Sequence, residues 1–142
     1  MIDSKNKRIM GVDFGDVRTG LAVSDPTGFL ASGAGTVRCK VLTKTAELVA
    51  EEGKKHDVAG FVVGLPINMN GTEGDRGAHA REFAAELEKI SGLPVELLDE
   101  RLTTAAAHRI MNETDTRGSR RRATVDTLSA EIILQNYLDR KR

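Results

Sequence analysis

Arg8-Ile9-Met10-Gly11-Val12-Asp13-Phe14-Gly15-Asp16-Val17-Arg18-Thr19-Gly20-Leu21-Ala22-Val23-Ser24-Asp25 reads as an apolar strand ending in a carboxylate, a turn containing glycine, and a second apolar strand running back. The spacing predicts a hairpin over 8–14 and 20–25, with 16–19 as the connection. Asp25-Pro26-Thr27-Gly28 is a second turn signal, because proline presets one turn dihedral and glycine tolerates positive φ. A third strand is expected within 29–38, weakened by Gly33 and Gly35.

Beyond this meander the periodicity changes. Leu42, Ala46, Val49 and Ala50 recur at helical spacing, and that helix is expected to end near Gly53. Val58-Ala59-Gly60-Phe61-Val62-Val63-Gly64-Leu65 is apolar without alternation, the pattern of a strand buried on both faces. A polar loop is expected from Pro66 to Gly77, followed by a helix marked by Ala80, Phe83, Ala84 and Leu87 and stopped at Ser91-Gly92-Leu93-Pro94. Val95–Leu98 is a short strand running into Asp99-Glu100-Arg101. Thr103 or Thr104 can cap a helix carrying Ala107, Ile110 and Met111, residues 115–122 read as a connection, and a last helix covers roughly 123–139. A hairpin-rich start followed by β-α-β alternation predicts an α/β fold: a five-stranded mixed sheet, three antiparallel strands then two parallel, flanked by helices.

Composition narrows the function. The 142 residues suit one domain, 1–142, with a real core. No apolar run approaches the roughly 20 residues of a membrane span, and no signal-peptide segment is read at the start, so no membrane association is expected. Cys39 is the single cysteine, which fits a reducing cytoplasm. Net charge is zero, yet four arginines fall within 115–122 and the sequence closes on Arg140-Lys141-Arg142. Such clusters can serve phosphate contacts on a neutral protein, or simply be solvated. With one tyrosine, four phenylalanines and no tryptophan, base stacking is poorly supplied, and nucleic-acid contacts should go mainly to the backbone.

Carboxylates sit at element ends: Asp13, the pair Asp99 and Glu100, and Asp126 in the last helix. On a helical wheel Asp126, Ser129, Ala130, Ile133 and Tyr137 fall within about 100°, a stripe expected to face the sheet. A carboxylate there is costly to desolvate unless paired or metal-bound, although an acid near a helix start also favours the dipole. Carboxylates without suitably spaced histidine or cysteine partners suit Mg²⁺ or Mn²⁺ rather than zinc, and such ions can activate water for phosphodiester cleavage. Asn68, Asn70, Thr72 and Arg76 lie in the glycine-rich 66–77 loop, where they could grip phosphate or sugar; a plain solvated loop is the alternative.

Four motifs in order carry a resemblance: Gly11-Val12-Asp13-Phe14-Gly15 with Thr19–Asp25; Val62-Val63-Gly64-Leu65-Pro66 with Asn68–Gly74; Leu98-Asp99-Glu100-Arg101-Leu102-Thr103-Thr104; and Asp126 ahead of Ser129-Ala130 and Ile133-Leu134-Gln135. Together they resemble the YqgF-type family of pre-16S ribosomal RNA nucleases, also described as Holliday-junction-resolvase-like. The resemblance implies an RNase H-like domain and a metal-dependent nuclease acting on the 5′ end of precursor 16S ribosomal RNA. It maps the acids onto Asp13, Glu100 or its neighbour Asp99, and Asp126, holding Mg²⁺ or Mn²⁺. Arg18, Asn68, Asn70, Thr72, Arg76, Arg101, Arg120, Arg121 and Arg122 are the candidates for nucleic-acid contact. In related resolvases a carboxylate ends the fourth strand; here Gly64-Leu65-Pro66 stands there, so the second acid must come from the fifth strand. Branched DNA is the alternative substrate, and a non-catalytic assembly factor or nucleotide-binding module the alternative role, with a monomer or weak homodimer expected. The 13–20 turn also resembles the phosphate loop of the actin and sugar-kinase superfamily, but those proteins close two lobes around ATP and 142 residues supply one.

Overall fold

The structure is a computed structural model that describes residues 2–3, 7–100 and 119–141, with side chains from residue 127 onward in the last stretch. Five strands, β1 (Arg8–Asp13), β2 (Arg18–Ser24), β3 (Ala31–Arg38), β4 (Val58–Leu65) and β5 (Val95–Asp99), form one sheet in the order β3-β2-β1-β4-β5. β1 pairs antiparallel with β2 and β2 with β3, while β1–β4 and β4–β5 are parallel. This is the expected mixed sheet. α1 (Leu42–Lys55) and α2 (Asp75–Ser91) cover one face, and α3 (Ser119–Lys141) covers the other.

Strand alternation assigns the two cores. Met10, Val12, Leu21, Phe61 and Val63 pack with Ala46 and Val49 of α1 and Phe83 and Leu87 of α2. Ile9, Ala22 and Val62 pack with Ala130, Ile133, Leu134 and Leu138 of α3. β4 serves both cores, which is why its sequence shows no alternation. Asp13 follows Ile9 and Gly11 at two-residue steps, so it emerges on the α3 face at the carboxyl end of the sheet's central strand.

α3 lies unusually low over β1. A Cβ at Gly11 would come within 2.6 Å of the Leu134 Cβ and 2.9 Å of the Ala130 carbonyl oxygen. On β3, Gly33 gives the same clearance to Thr127 of α3. Farther along the helix, the Tyr137 hydroxyl accepts a hydrogen bond from the Ile2 amide at 2.8 Å and donates to Glu96.

Several boundaries differ from the sequence reading. The β1–β2 connection is residues 14–17, so Arg18 and Thr19 belong to β2. α1 runs through Gly53, which is no helix stop: a Cβ there would lie 2.5 Å from the Phe61 ring, and glycine makes room for that packing. α2 begins at Asp75, taking Arg76 and Gly77 out of the loop and into its first turn. α3 begins at Ser119, so Arg120, Arg121 and Arg122 are helical rather than part of a connection; arginine's good helix propensity accounts for this. Arg101, the helix expected after Thr103 or Thr104, and 115–118 lie outside the described residues. In β3, Leu21 pairs with Gly35 but Ala22 with Gly33, leaving a bulge at Ala34 with Gly35 at φ 102°.

Replacing Gly11 with alanine should lift α3 from β1 and cost about 1–3 kcal/mol of stability. Urea unfolding measures it; a wild-type midpoint would refute the tight seat.

Candidate active site

The carboxyl ends of β1, β4 and β5 open into a trough made of two adjoining cavities that share Arg76 and Glu100. One, ≈ 350 Å³, is lined by Asp13, Arg76 and Glu100 together with Leu98, Ser129 and Ile133. The second, ≈ 410 Å³, extends along Pro66, Asn68, Gly74 and Asp75.

Asp13 and Glu100 arrive from strands separated by β4, and Gly64 is what lets them meet. A Cβ at Gly64 would fall 2.6 Å from Glu100 Oε1, 3.0 Å from its Cγ and 2.4 Å from Ile133 Cδ1. The Glu100 side chain thus lies across the tip of β4, over a position that only glycine leaves clear. Asp99 pairs with Leu65, and alternation along β5 turns it toward the α1–α2 face, as with Val95 and Leu97. Of the two neighbouring acids, the trough holds Glu100.

The electrostatics follow from this geometry. Burial raises the Asp13 pKa above its ordinary value, with Arg76 opposing the rise. Burial also raises Glu100; the charge on Asp13 adds to it, Arg76 opposes it, and Asp99 adds a smaller repulsion. Two half-buried carboxylates repel one another beside the exposed Arg76 guanidinium. That donor set consists of oxygen alone, and among the described residues no third acid, histidine or cysteine joins them. Such a site fits a hard divalent cation, since Mg²⁺ uses one or two carboxylates and completes its shell with water and substrate phosphate. Asp126 stands one helical turn before Ser129 on α3, and its side chain lies outside the described residues.

The remaining candidates divide clearly. Arg76 reaches the trough because α2 starts early enough to place it in the first turn. Asn68 lines the second cavity, but Asn70 and Thr72 bond within their own loop: the Thr72 amide and hydroxyl both donate to Asn70 Oδ1, at 3.1 and 2.6 Å, and Asn68 Nδ2 donates to Thr72 Oγ1 at 3.2 Å. Arg81 clasps Glu73 with Nε and Nη2, which ties the loop to α2. Arg18 is exposed on the same face as Asp13 and pairs in register with Arg38, which the sequence reading missed. Arg120, Arg121 and Arg122 stand in the first turn of α3, with side chains outside the described residues.

Ser129 departs from the expected stripe. Ala130, Ile133 and Tyr137 are buried, whereas Ser129 is exposed and lines the trough with Ile132 and Asn136. The spacing 129, 132, 133, 136 was a legible signal for a second helical face. Gly64 was legible too, as a glycine closing an otherwise apolar strand.

The profile of the RuvX family, described as Holliday junction resolvase, matches residues 7–140. The chain belongs to this family. A relative from Ruminiclostridium cellulolyticum, named "Putative pre-16S rRNA nuclease", is 44% identical over 134 residues, 94% of each chain. One of the same name from Moorella thermoacetica is 45% identical over 133 residues, 94% of this chain and 95% of that one. Among solved structures, RuvC from Thermus thermophilus in complex with Holliday junction substrate superposes with a TM-score of 0.62 at 12% identity, covering 95% of this chain and 96% of that one. At that identity the RuvX-family chain shares the fold, which is RNase H-like as expected.

Two outcomes follow for the trough. A carboxylate whose pKa is raised by folding binds its proton more tightly in the folded chain, so its ionisation lowers stability as pH rises above the unfolded range near ~4. Asp13→Asn should therefore unfold at a higher temperature than wild type at pH 7 without metal, the difference fading near pH 4; calorimetry across pH checks the sign. Gly64→Ala should displace Glu100 and weaken Mg²⁺ or Mn²⁺ binding about tenfold or more, read by metal titration; unchanged affinity would remove Gly64 from the site.

Proposed function

We propose that the chain is a metal-dependent nuclease that trims the 5′ end of precursor 16S ribosomal RNA in the cytoplasm. The observation that carries this reading is the convergence of Asp13 and Glu100 in one trough, across a strand tip kept clear by Gly64. Asp13, Glu100 and Asp126 would hold Mg²⁺ or Mn²⁺, while Asp99, turned to the other face, adds only its charge beside Glu100. Bound there, the metal supplies Lewis acidity toward the phosphate and a more acidic water.

The chain's own residues do the rest. Arg76 faces both carboxylates and draws the scissile phosphate's negative charge to the junction of the two cavities. Asn68 and the self-bonded loop beside it shape the second cavity, so the strand meets a wall that is already ordered. Arg18, Arg101, Arg120, Arg121 and Arg122 are placed in this reading along the flanking backbone, with Asn70 and Thr72 acting through the loop's shape. Hydrolysis adds water across one P–O bond, leaving a phosphate on one fragment and a hydroxyl on the other.

Branched DNA is the second reading, favoured by the fold shared with RuvC. It requires a symmetric dimer to cut paired strands, whereas the ribosomal RNA reading is satisfied by a monomer or weak homodimer. Incubating labelled precursor RNA and a four-way DNA junction side by side, with Mg²⁺, Mn²⁺ or EDTA, separates the two. RNA cleavage should need metal, and Asp13→Asn and Glu100→Gln should each lower it at least ~100-fold, more than the loss of a residue that only supports a ligand. Full activity in Asp13→Asn would sink the metal site, and junction cleavage alone, with light scattering showing a dimer, would select the second reading.

A further inference from the structure

The aliphatic wall of the trough, beside Asp13 and Glu100, is not needed by the metal reading and carries chemistry of its own. Leu98, Ile132 and Ile133 form it, with Asn136 beside them and Ser129 at its rim. At ≈ 350 Å³ the cavity falls at the lower end of the range for small-molecule sites. It suits one nucleoside unit and is far too small for a duplex. Among the described residues the wall is aliphatic, so it offers a surface for the C–H face of a sugar and no ring on which a base could stack. Ser129 is the single exposed residue between the buried Thr127 and Leu138. It makes no contribution to the α3 core, and its hydroxyl can both donate and accept. A ribose 2′-hydroxyl has the same dual character and is the group that distinguishes RNA from DNA.

We infer that this wall is a ribose subsite for the nucleotide beside the scissile phosphate, with Ser129 reading its 2′-hydroxyl. The inference rests on the nuclease reading above and names the group by which that site selects RNA. The sugar packs on Ile132 and Ile133, its phosphate lies toward Asp13, Glu100 and Arg76, and its 2′-hydroxyl meets Ser129. Selectivity arises from one hydrogen bond made to RNA and absent with DNA, so it is modest at each nucleotide.

A set of RNA strands spanning the cleavage site, each with one 2′-deoxynucleotide, tests this against wild type, Ser129→Ala and Ser129→Thr. In wild type, one position flanking the cut should lose about 3- to 10-fold in kcat/KM on deoxy substitution. Ser129→Ala should lose a similar factor on all-ribose RNA and be indifferent to that deoxy substitution, while Ser129→Thr, which keeps a hydroxyl, should retain most of the sensitivity. A structural role alone would slow Ser129→Ala equally on every strand. Undiminished deoxy sensitivity in Ser129→Ala, or no sensitive position in wild type, would overturn the subsite. If wild type cleaves no RNA at all, the nuclease reading fails, and fluorescence anisotropy with the same strands still decides the subsite. Tighter binding of ribose than deoxyribose strands that disappears in Ser129→Ala supports it, and equal affinities overturn it.

Discussion

The closeness of α3 to the sheet is the constraint from which the rest follows. Gly11, Gly33 and Gly64 remove three side chains from one face, and Leu134, Ala130, Thr127 and Ile133 occupy the space. Close packing at native density leaves no slack there, so the helix height is fixed to within a methyl group. The trough is the gap that remains where α3 passes the end of β1. Its width is therefore set by backbone approach, and the wall that α3 contributes is a regular element rather than a loop. A site assembled on strand ends and a packed helix holds its geometry better than one built on mobile segments.

Gly64 does two things at once. It admits Ile133 from above, and it lets a side chain from β5 cross to β1. An acid brought in this way is longer by one methylene than an aspartate on β4 would be, and it approaches Asp13 from the side. Burial raises the pKa of both groups, and the charge on Asp13 raises Glu100 further; ionising them is a stability cost kept at the point where charge density is useful. Net neutrality of the chain hides it, because the basic residues that complement the trough are spread over separate elements: Arg18 on β2, Arg38 on β3, Arg76 on α2.

Much of the fold was legible because its signals are local or periodic. The unbroken apolar run of β4, the helical spacing in α1 and α2, and the turn at Gly92 (φ 70°) each report a backbone state directly. What misled was glycine used for contact rather than for conformation. Gly53 looked like a helix end, yet its role is defined by Phe61, eight residues on and in β4. Gly77 looked like loop, but it sits buried in the first turn of α2 against Pro66. The acids Asp13 and Glu100 were readable as residues; that one trough holds Glu100 rather than Asp99 depends on strand alternation at β5, which sequence spacing alone left open. Ser129 lies outside the buried stripe because α3 has two faces, one on the sheet and one on the trough.

β3 ends the sheet, and an edge strand with unpaired backbone groups can template another chain. This one is poorly suited to that. Its bulge at Ala34, the left-handed Gly35 and the exposed Ser32 and Arg38 interrupt any flat, apolar stretch. Strand-to-strand association between copies is discouraged at the margin of the molecule by backbone shape as much as by charge.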